Sequence, residues 1–436
     1  MPSKSEEHPL GELCSLLVRG AAPNYVEQGG MLVLNQKCVR DQRILVDEAR
    51  RTDTILRPVS PQKVLQPFDI LVNSTGVGTL GRVAQVLSLP EATTVDSHVT
   101  IVRANPAKVF PHFLGYAVKN YQEEIEMLAE GSTGQTELGR ERLATLLIPT
   151  RPGNEQRAIA YILGTLDDKI ELNRGMNETL EAFVTAIFKS WFVDFDPVRA
   201  KVSGESPASI CYRLRLTPDL LELFPNRFQD SELGEIPEGW SVGQVCDVVR
   251  VVGGSTPSTK NLEYWDGSYA WATPKDLAAI SAPVLLKTER NITELGLKQI
   301  SSGLLPAGTL LMSSRAPIGY LAISKVPVAV NQGFIALICE GPVSAYYMLN
   351  WCQFNMDRIK QYAGGTTFAE INKRSFRPIT FLVPGSNLLN AYTTVAKPFY
   401  DLIAQHCQEI NLLGDIRDLL LPRLISGELR LLSTDQ

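Results

Sequence analysis

Residues Asn154 to Trp191 read NEQRAIAYILGTLDDKIELNRGMNETLEAFVTAIFKSW, and one line of positions down this stretch decides the architecture. Ile159, Leu163, Leu166, Ile170, Asn173, Asn177, Leu180, Val184, Ile187 and Trp191 follow one another at alternating steps of four and three. That is the heptad seam of a helix packed along another long helix. The two polar seam residues sit together in the middle. No proline interrupts the run, and Gly164 and Gly175 are its weak points. At 1.5 Å per residue the helix would be roughly 55 Å long, too long for an ordinary core helix.

A second stretch offers the partner. Tyr392, Ala396, Phe399, Ile403, His406, Ile410, Leu413, Leu420 and Leu424 fall on matching steps. Pro398 removes an amide donor, so the regular helix is expected to begin there, and Pro422 is expected to end it. Periodicity alone leaves open two unrelated amphipathic helices, each buried in its own domain.

An internal repeat favours the pair. The block Leu10 to Pro149 has strand-like runs in MLVLNQKCVRD, FDILVNSTG, RVAQVLSL and TTVDSHVTIVRAN, then a predicted helix over 111–129, a polar loop GSTGQTEL and an apolar run LATLLIPT. After the long helix the order returns. YAWATPKDL stands for LVLNQKCVRD, GTLLMSSRAPIGYLAIS for FDILVNSTGVGTLGRVAQV, and PVAVNQGFIALI for TTVDSHVTIV; YYMLNWCQFNMDRIKQYA stands for the helix and GGTTFAEINKRSF for the polar loop. Corresponding positions, such as Gly131 with Gly364 and Pro149 with Pro384, lie about 235 residues apart. Each copy then runs into a long helix, which implies two homologous domains rather than a solenoid.

The expected organisation is α+β: a β-rich domain over 1–150, a spacer helix over 151–193, a polar, turn-rich linker over 194–235, a second domain over 236–386, and a second helix with its tail over 387–436. A duplicated unit closes most simply with the helices antiparallel about a pseudo-two-fold axis near Gly175. That axis sets Asn177 opposite His406, a polar pair suited to fixing register. It sets Asn173 against apolar Ile410, where Asn173 would need a water or a backbone group.

Composition bounds the rest. The chain has 436 residues, 44% hydrophobic and 20% charged, with room for more than one core. No apolar run is long enough for a bilayer, and the polar start MPSKSEEHP, expected to fray, is no secretory leader. Seven cysteines without a C-x-x-C pair suit a reducing cytoplasm. His8, His98, His112 and His406 are too scattered for a zinc site, so no metal is expected. The net charge of −5 argues against a stand-alone nucleic-acid binder and leaves DNA binding to local patches or to a basic partner.

No catalytic constellation is legible. Gly76-Val77-Gly78-Thr79-Leu80-Gly81 follows a strand, but a dinucleotide site needs a helix next, and RVAQVLSLP is strand-like. It reads as a glycine-permitted turn. Asp167-Asp168-Lys169 matches the tail of a nuclease motif without the upstream acidic strand, and reads as a solvated helix face. N-P-P-Y/F, G-x-x-x-x-G-K-S/T and H-E-x-x-H are all missing from the sequence.

What recurs in both copies is loop chemistry suited to base edges and phosphates. In the first copy the candidates are Gln36, Lys37, Arg40, Ser74, Thr75, Arg82, Ser132, Thr133 and Gln135; in the second, Thr273, Lys275, Ser314, Arg315, Thr366, Thr367 and Lys373. For any one of them ordinary turn composition explains the residue as well; recurrence is the argument.

The chain resembles the specificity subunits of type I restriction–modification enzymes. The likeness lies in the order domain–helix–domain–helix and in IELNRGMNETLEAFVTAIFKSWFVDFDPVRAK (170–201), DSELGEIPEGW (230–240) and LLLPRLISGEL (419–429). The resemblance implies a non-catalytic subunit whose two target recognition domains each read half of a split double-stranded DNA site, with the helices as spacer. It implies partners: modification subunits that use S-adenosylmethionine to methylate adenine N6, and restriction subunits that use ATP and Mg²⁺. This chain itself is expected to hold no cofactor. Phe188, Trp191, Phe192, Leu421 and Leu424, as apolar residues beside the helix ends, are the candidate docking residues. A spacing of about 50 Å would cover about fifteen base pairs at 3.4 Å each. Two other classes stay open: a protein-binding scaffold of two β-rich modules on a coiled coil, and an enzyme using the glycine loop on a nucleotide.

Overall fold

β-Branched and leucine-rich runs set the strands of the first domain. In the computed structural model, which describes residues 6–131, 136–364 and 369–431, these are β1 (Cys14–Arg19), β2 (Tyr25–Val26), β3 (Met31–Leu34), β4 (Arg50–Thr52), β5 (Ile70–Asn73), β6 (Val83–Gln85), β7 (Thr93–Val95) and β8 (Val99–Ala104). They form two four-stranded sheets, ordered β7–β3–β4–β2 and β1–β8–β5–β6. β5, ILVN, is buried at every position, as a strand covered on both faces must be. The domain helix α1 (Pro111–Asn120) opens on a proline that needs no amide partner there. Glu6–Pro9, in the lead expected to fray, instead pairs antiparallel with Leu147–Thr150.

The second domain repeats the plan. β9 (Arg250–Val252), β10 (Trp265–Ala272), β11 (Val284–Leu285), β12 (Arg290–Ile292), β13 (Leu310–Ser314), β14 (Ile318–Ser324), β15 (Val328–Val330) and β16 (Phe334–Ile338) form sheets ordered β12–β10–β15 and β9–β16–β13–β14–β11. Both domains place a parallel pair at the same point, β7 with β3 and β15 with β10, and the second adds another, β11 with β14. Each also brings a glycine against the shared pair: a Cβ on Gly20 would stand 2.1 Å from the Val95 carbonyl oxygen, and one on Gly254 would stand 1.7 Å from that of Val330. Only glycine allows this approach.

The long helices are α2 (Gly153–Phe192) and, after the domain helix α3 (Ala345–Phe354), α4 (Ser386–Ser426). The chain forms two compact units, Met1–Asp168 with Leu413–Gln436, and Lys169–Leu412, so each unit holds one β-rich domain and a stretch of both long helices. In the first unit Asp167 meets Arg417, and Ile159 and Leu163 share a core with Leu421, Leu424 and Ile425. In the second, Asn177 meets His406, Phe183 meets Phe399, and Val184 and Phe188 share a core with Tyr392 and Ala396. Rising numbers meet falling ones in both, so the pairing is antiparallel.

Three further expectations need correction. α4 neither starts at Pro398 nor stops at Pro422. Both prolines are exposed, while Tyr392, Ala396 and Tyr400 on one side, and Leu421, Leu424 and Ile425 on the other, anchor the helix by burial. The helix ends where Gly427 turns to φ +80°, its amide donating to the Arg423 carbonyl at 3.1 Å. The linker is not merely turns: it holds helices Asp196–Val202, Pro207–Leu214 and Pro218–Glu222 and a hairpin of Phe228–Ser231 with Gly234–Pro237. Asp167 is not a solvated face. It accepts from the Tyr116 hydroxyl at 2.7 Å and from Arg417 Nη1 at 2.8 Å. No helix among the described residues is long and apolar enough to cross a membrane.

Candidate nucleic-acid interface

The interface in the first domain grows from the end of β5. Asn73 is fully buried, and its Nδ2 donates to the carbonyls of Gln36 at 2.9 Å and Thr79 at 3.0 Å, pinning the loop after β3 to the glycine turn. Gly76, Gly78 and Gly81 take φ of +109°, +70° and +82°. A Cβ on Gly76 would stand 2.2 Å from Thr79 Oγ1, so the turn has no room for a side chain. A strand, β6, follows it, as a turn rather than a dinucleotide site requires.

Ser74 donates its amide to the His98 carbonyl at 2.8 Å, accepts the Leu138 amide at 2.8 Å, and holds its hydroxyl 2.6 Å from Thr100 Oγ1. It is fully buried, so its part is to fasten the loops rather than touch a ligand. Thr75 is half-buried beside it. Its hydroxyl lies 2.7 Å from His98 Nδ1 and 3.5 Å from Gln36 Oε1. Burial pushes the Asp96 carboxyl above the usual range, opposed by the His98 amide it accepts at 2.9 Å. The polar loop after α1 is closed by reciprocal backbone bonds between Glu130 and Glu137, at 3.0 and 2.8 Å, and Glu137 bridges back to Thr75. Arg19 pairs with Glu137 and donates to the Leu138 carbonyl at 2.8 Å.

Gln36, Thr75 and the neck of the polar loop therefore come together. Arg82 turns back to donate to the Gly78 carbonyl at 2.8 Å. Lys37 and Arg40 are exposed, Arg40 lying 3.5 Å from Asp41. Ser132, Thr133 and Gln135 lie outside the described residues, as do Thr366 and Thr367 in the second domain.

The second domain builds the same frame with different residues. Ser314 ends β13, donates its amide to the Gly333 carbonyl at 2.8 Å and accepts the Ile371 amide at 3.0 Å. Like Ser74 it is buried. Arg315 takes the place of Thr75, bridging Glu370 with Nη1 3.6 Å from its carboxylate. Gly364 and Glu370 close the loop reciprocally at 3.0 and 2.9 Å, so Gly364 answers Glu130 rather than Gly131. Thr273 is spent on a capping box, with both its amide and its hydroxyl 2.7 Å from Asp276 Oδ2. Lys275 is exposed but lies 2.8 Å from Glu289. Lys373 is exposed and, among the described residues, in no ion pair. His98, Glu137 and Glu370 were not picked out from the sequence. Their signal was faint: a D-S-H at 96–98 answered by N-Q-G at 331–333, whose Asn331 accepts the Gly333 amide at 2.8 Å as Asp96 accepts that of His98.

The residues chosen for partner docking are corrected by their burial. Phe188, Trp191 and Phe192 are 2%, 4% and 6% exposed, and Leu421 and Leu424 are equally enclosed. Phe192 meets Tyr347 at 4.9 Å and Tyr392 at 5.3 Å, edge to face, and Trp191 meets Phe224 at 5.3 Å. Aromatics of this size beside a domain are covered by that domain first. In the helix seam His406 Nδ1 lies 2.9 Å from Asn177 Oδ1, and Asn177 Nδ2 is 3.6 Å from Cys407 Sγ. Asn173 finds a side-chain partner across the seam: its Nδ2 donates to Glu409 at 2.8 Å, while its buried Oδ1 has no protein partner among the described residues.

Comparison with known proteins agrees with this construction. The family described as the type I restriction modification DNA specificity domain matches residues 54–182 and again 237–387. The chain is 40% identical over 191 residues to the type I restriction enzyme MjaIX specificity subunit of Methanocaldococcus jannaschii, a match spanning 43% of this chain and 44% of that one. It thus spans less than half the length of that relative. It is 26% identical over 466 aligned positions to the type I restriction enzyme HindI specificity subunit of Haemophilus influenzae, covering 97% and 99% of the two. The fold is similar to the S subunit of a type I restriction–modification system from M. genitalium, with a TM-score of 0.55 at 16% identity over 98% and 97% of the chains.

Proposed function

This chain belongs to the type I restriction–modification DNA specificity family, and from that premise we propose that it is the non-catalytic subunit that gives such a complex its sequence. Each β-rich domain reads one half of a bipartite duplex site, and the paired helices set the spacing and receive the modification and restriction subunits. One observation carries the reading. The same loop frame is built twice, around Ser74 and around Ser314, with the residue after each serine changed from Thr75 to Arg315. Two heads of one design with different polar tips suit two half-sites of different sequence. S-adenosylmethionine, ATP and Mg²⁺ then belong to the partner subunits, and the assembly works on DNA in the cytoplasm.

Since the aromatics near the helix ends are buried, docking moves to apolar side chains that the helices leave in water. Leu172 and Met176, 58% and 39% exposed, line a shallow groove of α2 with Gly175 and Leu180, and Leu412 on α4 is 60% exposed. Leu172→Glu with Met176→Glu should abolish co-purification of the modification subunit while changing the melting of this chain by no more than about 0.5 kcal/mol, as surface changes do.

The direct test is long-read methylation mapping of host DNA with and without this gene. Adenine methylation at one split motif should vanish on deletion. An unchanged methylome, together with no mobility shift of duplex by the chain and its co-purified partner, would leave the scaffold reading in its place.

A further inference from the structure

Two arginines outside the loop frame occupy matching places in the two domains. In the first, Arg50 on β4 lies across from Val33 on β3, two residues before Asn35, where the candidate loop begins. Its guanidinium carbon stands 3.5 Å from the centre of the Tyr25 ring, and Tyr25 lies across from Thr52. In the second, Arg290 on β12 lies across from Trp271 on β10, two residues before Thr273. Its guanidinium carbon stands 3.6 Å from the centre of a Trp265 ring, and Trp265 lies across from Ile292. Each arginine thus reaches diagonally to an aromatic set opposite the residue two places further along its own strand.

The two domains reach this arrangement by different routes. Tyr25 comes from a short separate strand, whereas Trp265 shares β10 with Trp271, beyond a break in register. Trp265 and Trp271 stand edge to face at 4.9 Å, and their indole N–H groups donate to the carbonyls of Ser258 at 3.1 Å and Ser255 at 3.3 Å, so the seat is fixed. Arg50 and Arg290 are exposed and, among the described residues, join no ion pair. Their basic neighbours do: Arg51 with Glu91, and Lys275 with Glu289. A guanidinium lying on a ring keeps its in-plane N–H donors at its edge, the geometry that grips a phosphate bidentately.

The loops beside these arginines differ, Asn35-Gln36-Lys37 against Thr273-Pro274-Lys275, as heads for different bases must. The seated arginine is common to both. A contact of one kind in two heads fits what any two half-sites have in common, the phosphodiester backbone. We propose that Arg50 and Arg290 are backbone clamps, one in each head, that bind phosphate and orient the head without reading a base. The inference rests on the DNA-reading function proposed above.

The test uses the full chain with its co-purified modification partner, titrated over a salt series on a duplex carrying the mapped motif and on a scrambled duplex. Arg50→Gln and Arg290→Gln should each weaken binding to both duplexes by the same factor. Each should flatten the slope of log K against log salt by about 0.9, and the double variant by about 1.8. Arg50→Lys and Arg290→Lys should keep the slope, and the methylated motif should not change. An unchanged slope in the Gln variants, or a loss confined to the motif duplex, overturns the clamp. If the unaltered complex holds neither duplex, the DNA reading itself fails, a separate result. Should Arg290→Gln, beside two indoles, fail to fold, Arg50→Gln on the half-exposed Tyr25 ring decides the matter for its head.

Discussion

Glu181, on the second-unit stretch of α2, carries a carboxyl group that the fold makes hard to ionise. Burial, and secondarily the Glu178 carboxylate, push it from 4.5 up to about 7. The folded chain therefore holds this proton more tightly than the unfolded chain. Stability is lost as pH rises from about 4.5 to about 7, and the loss is complete above that. Glu181→Gln should remove the penalty, so the variant should be more stable than the parent at pH 8, by on the order of 2 kcal/mol, and no more stable at pH 4. Denaturant unfolding at the two pH values checks this, and an equal gain at both would refute the pH linkage. The neighbouring residues show what one-dimensional reading can and cannot reach. Asn177 and His406 were matched from seam arithmetic alone, and they lie 2.9 Å apart. Ser74 and Ser314 were chosen because a hydroxyl suits a base edge, yet both are buried at strand ends and bond to their own frame. Residue type carries the chemistry, but only the sheet decides whether the side chain faces the ligand. His98 escapes notice for the converse reason, being a lone histidine inside one strand-like run, TTVDSHVTIVRAN.

At the scale of elements, prolines divided what was legible from what was not. Pro398, where the sequence suggests a helix start, lies inside α4. Its ring removes one backbone hydrogen bond, at up to about 3 kcal/mol in a helix interior, and burial of Tyr392, Ala396, Tyr400 and Ile403 on either side outweighs it. Because Pro398 is exposed and packs on no core, Pro398→Ala should stabilise the chain by about 1–2 kcal/mol, the helix gain less the entropy returned to the unfolded state. A fall in Tm would show that the proline sets a bend on which packing depends. Pro197, Pro207 and Pro218 lie in the segment expected to be a polar, turn-rich linker, yet each sits in the first turn of a short helix, and Ser206 and Thr217 cap two of them. Proline removes a donor wherever it falls; whether that ends a helix or starts one depends on the residues after it. The long helices, the strands and their repeat were legible because seam and alternation extend over many residues. Sheet order, with its parallel pairs β7–β3, β15–β10 and β11–β14, was not, since long-range pairing leaves no local mark.

At the scale of the whole molecule, duplication makes the two domains separable in function. Each closes its loop frame within its own sheets: Asn73, Thr75, His98 and Glu137 in the first, Ser314, Gly333, Arg315 and Glu370 in the second. No bond of either frame depends on the other. A change to one set of tips should therefore alter one half of the recognised sequence and leave the other half as it was. Gln36→Ala with Thr75→Ala should relax or shift the bases methylated in one half-motif, and Arg315→Ala should do so only in the other, each at about 1–3 kcal/mol per lost base contact. Lys37→Ala and Lys373→Ala, exposed cations outside the frames, should instead weaken binding evenly and leave the motif intact. Methylation mapping of hosts carrying each variant reads both halves at once. If Arg315→Ala changed the half-motif governed by Gln36 and Thr75, the heads would not be independent readers, and the duplicated frame would have to serve assembly rather than recognition.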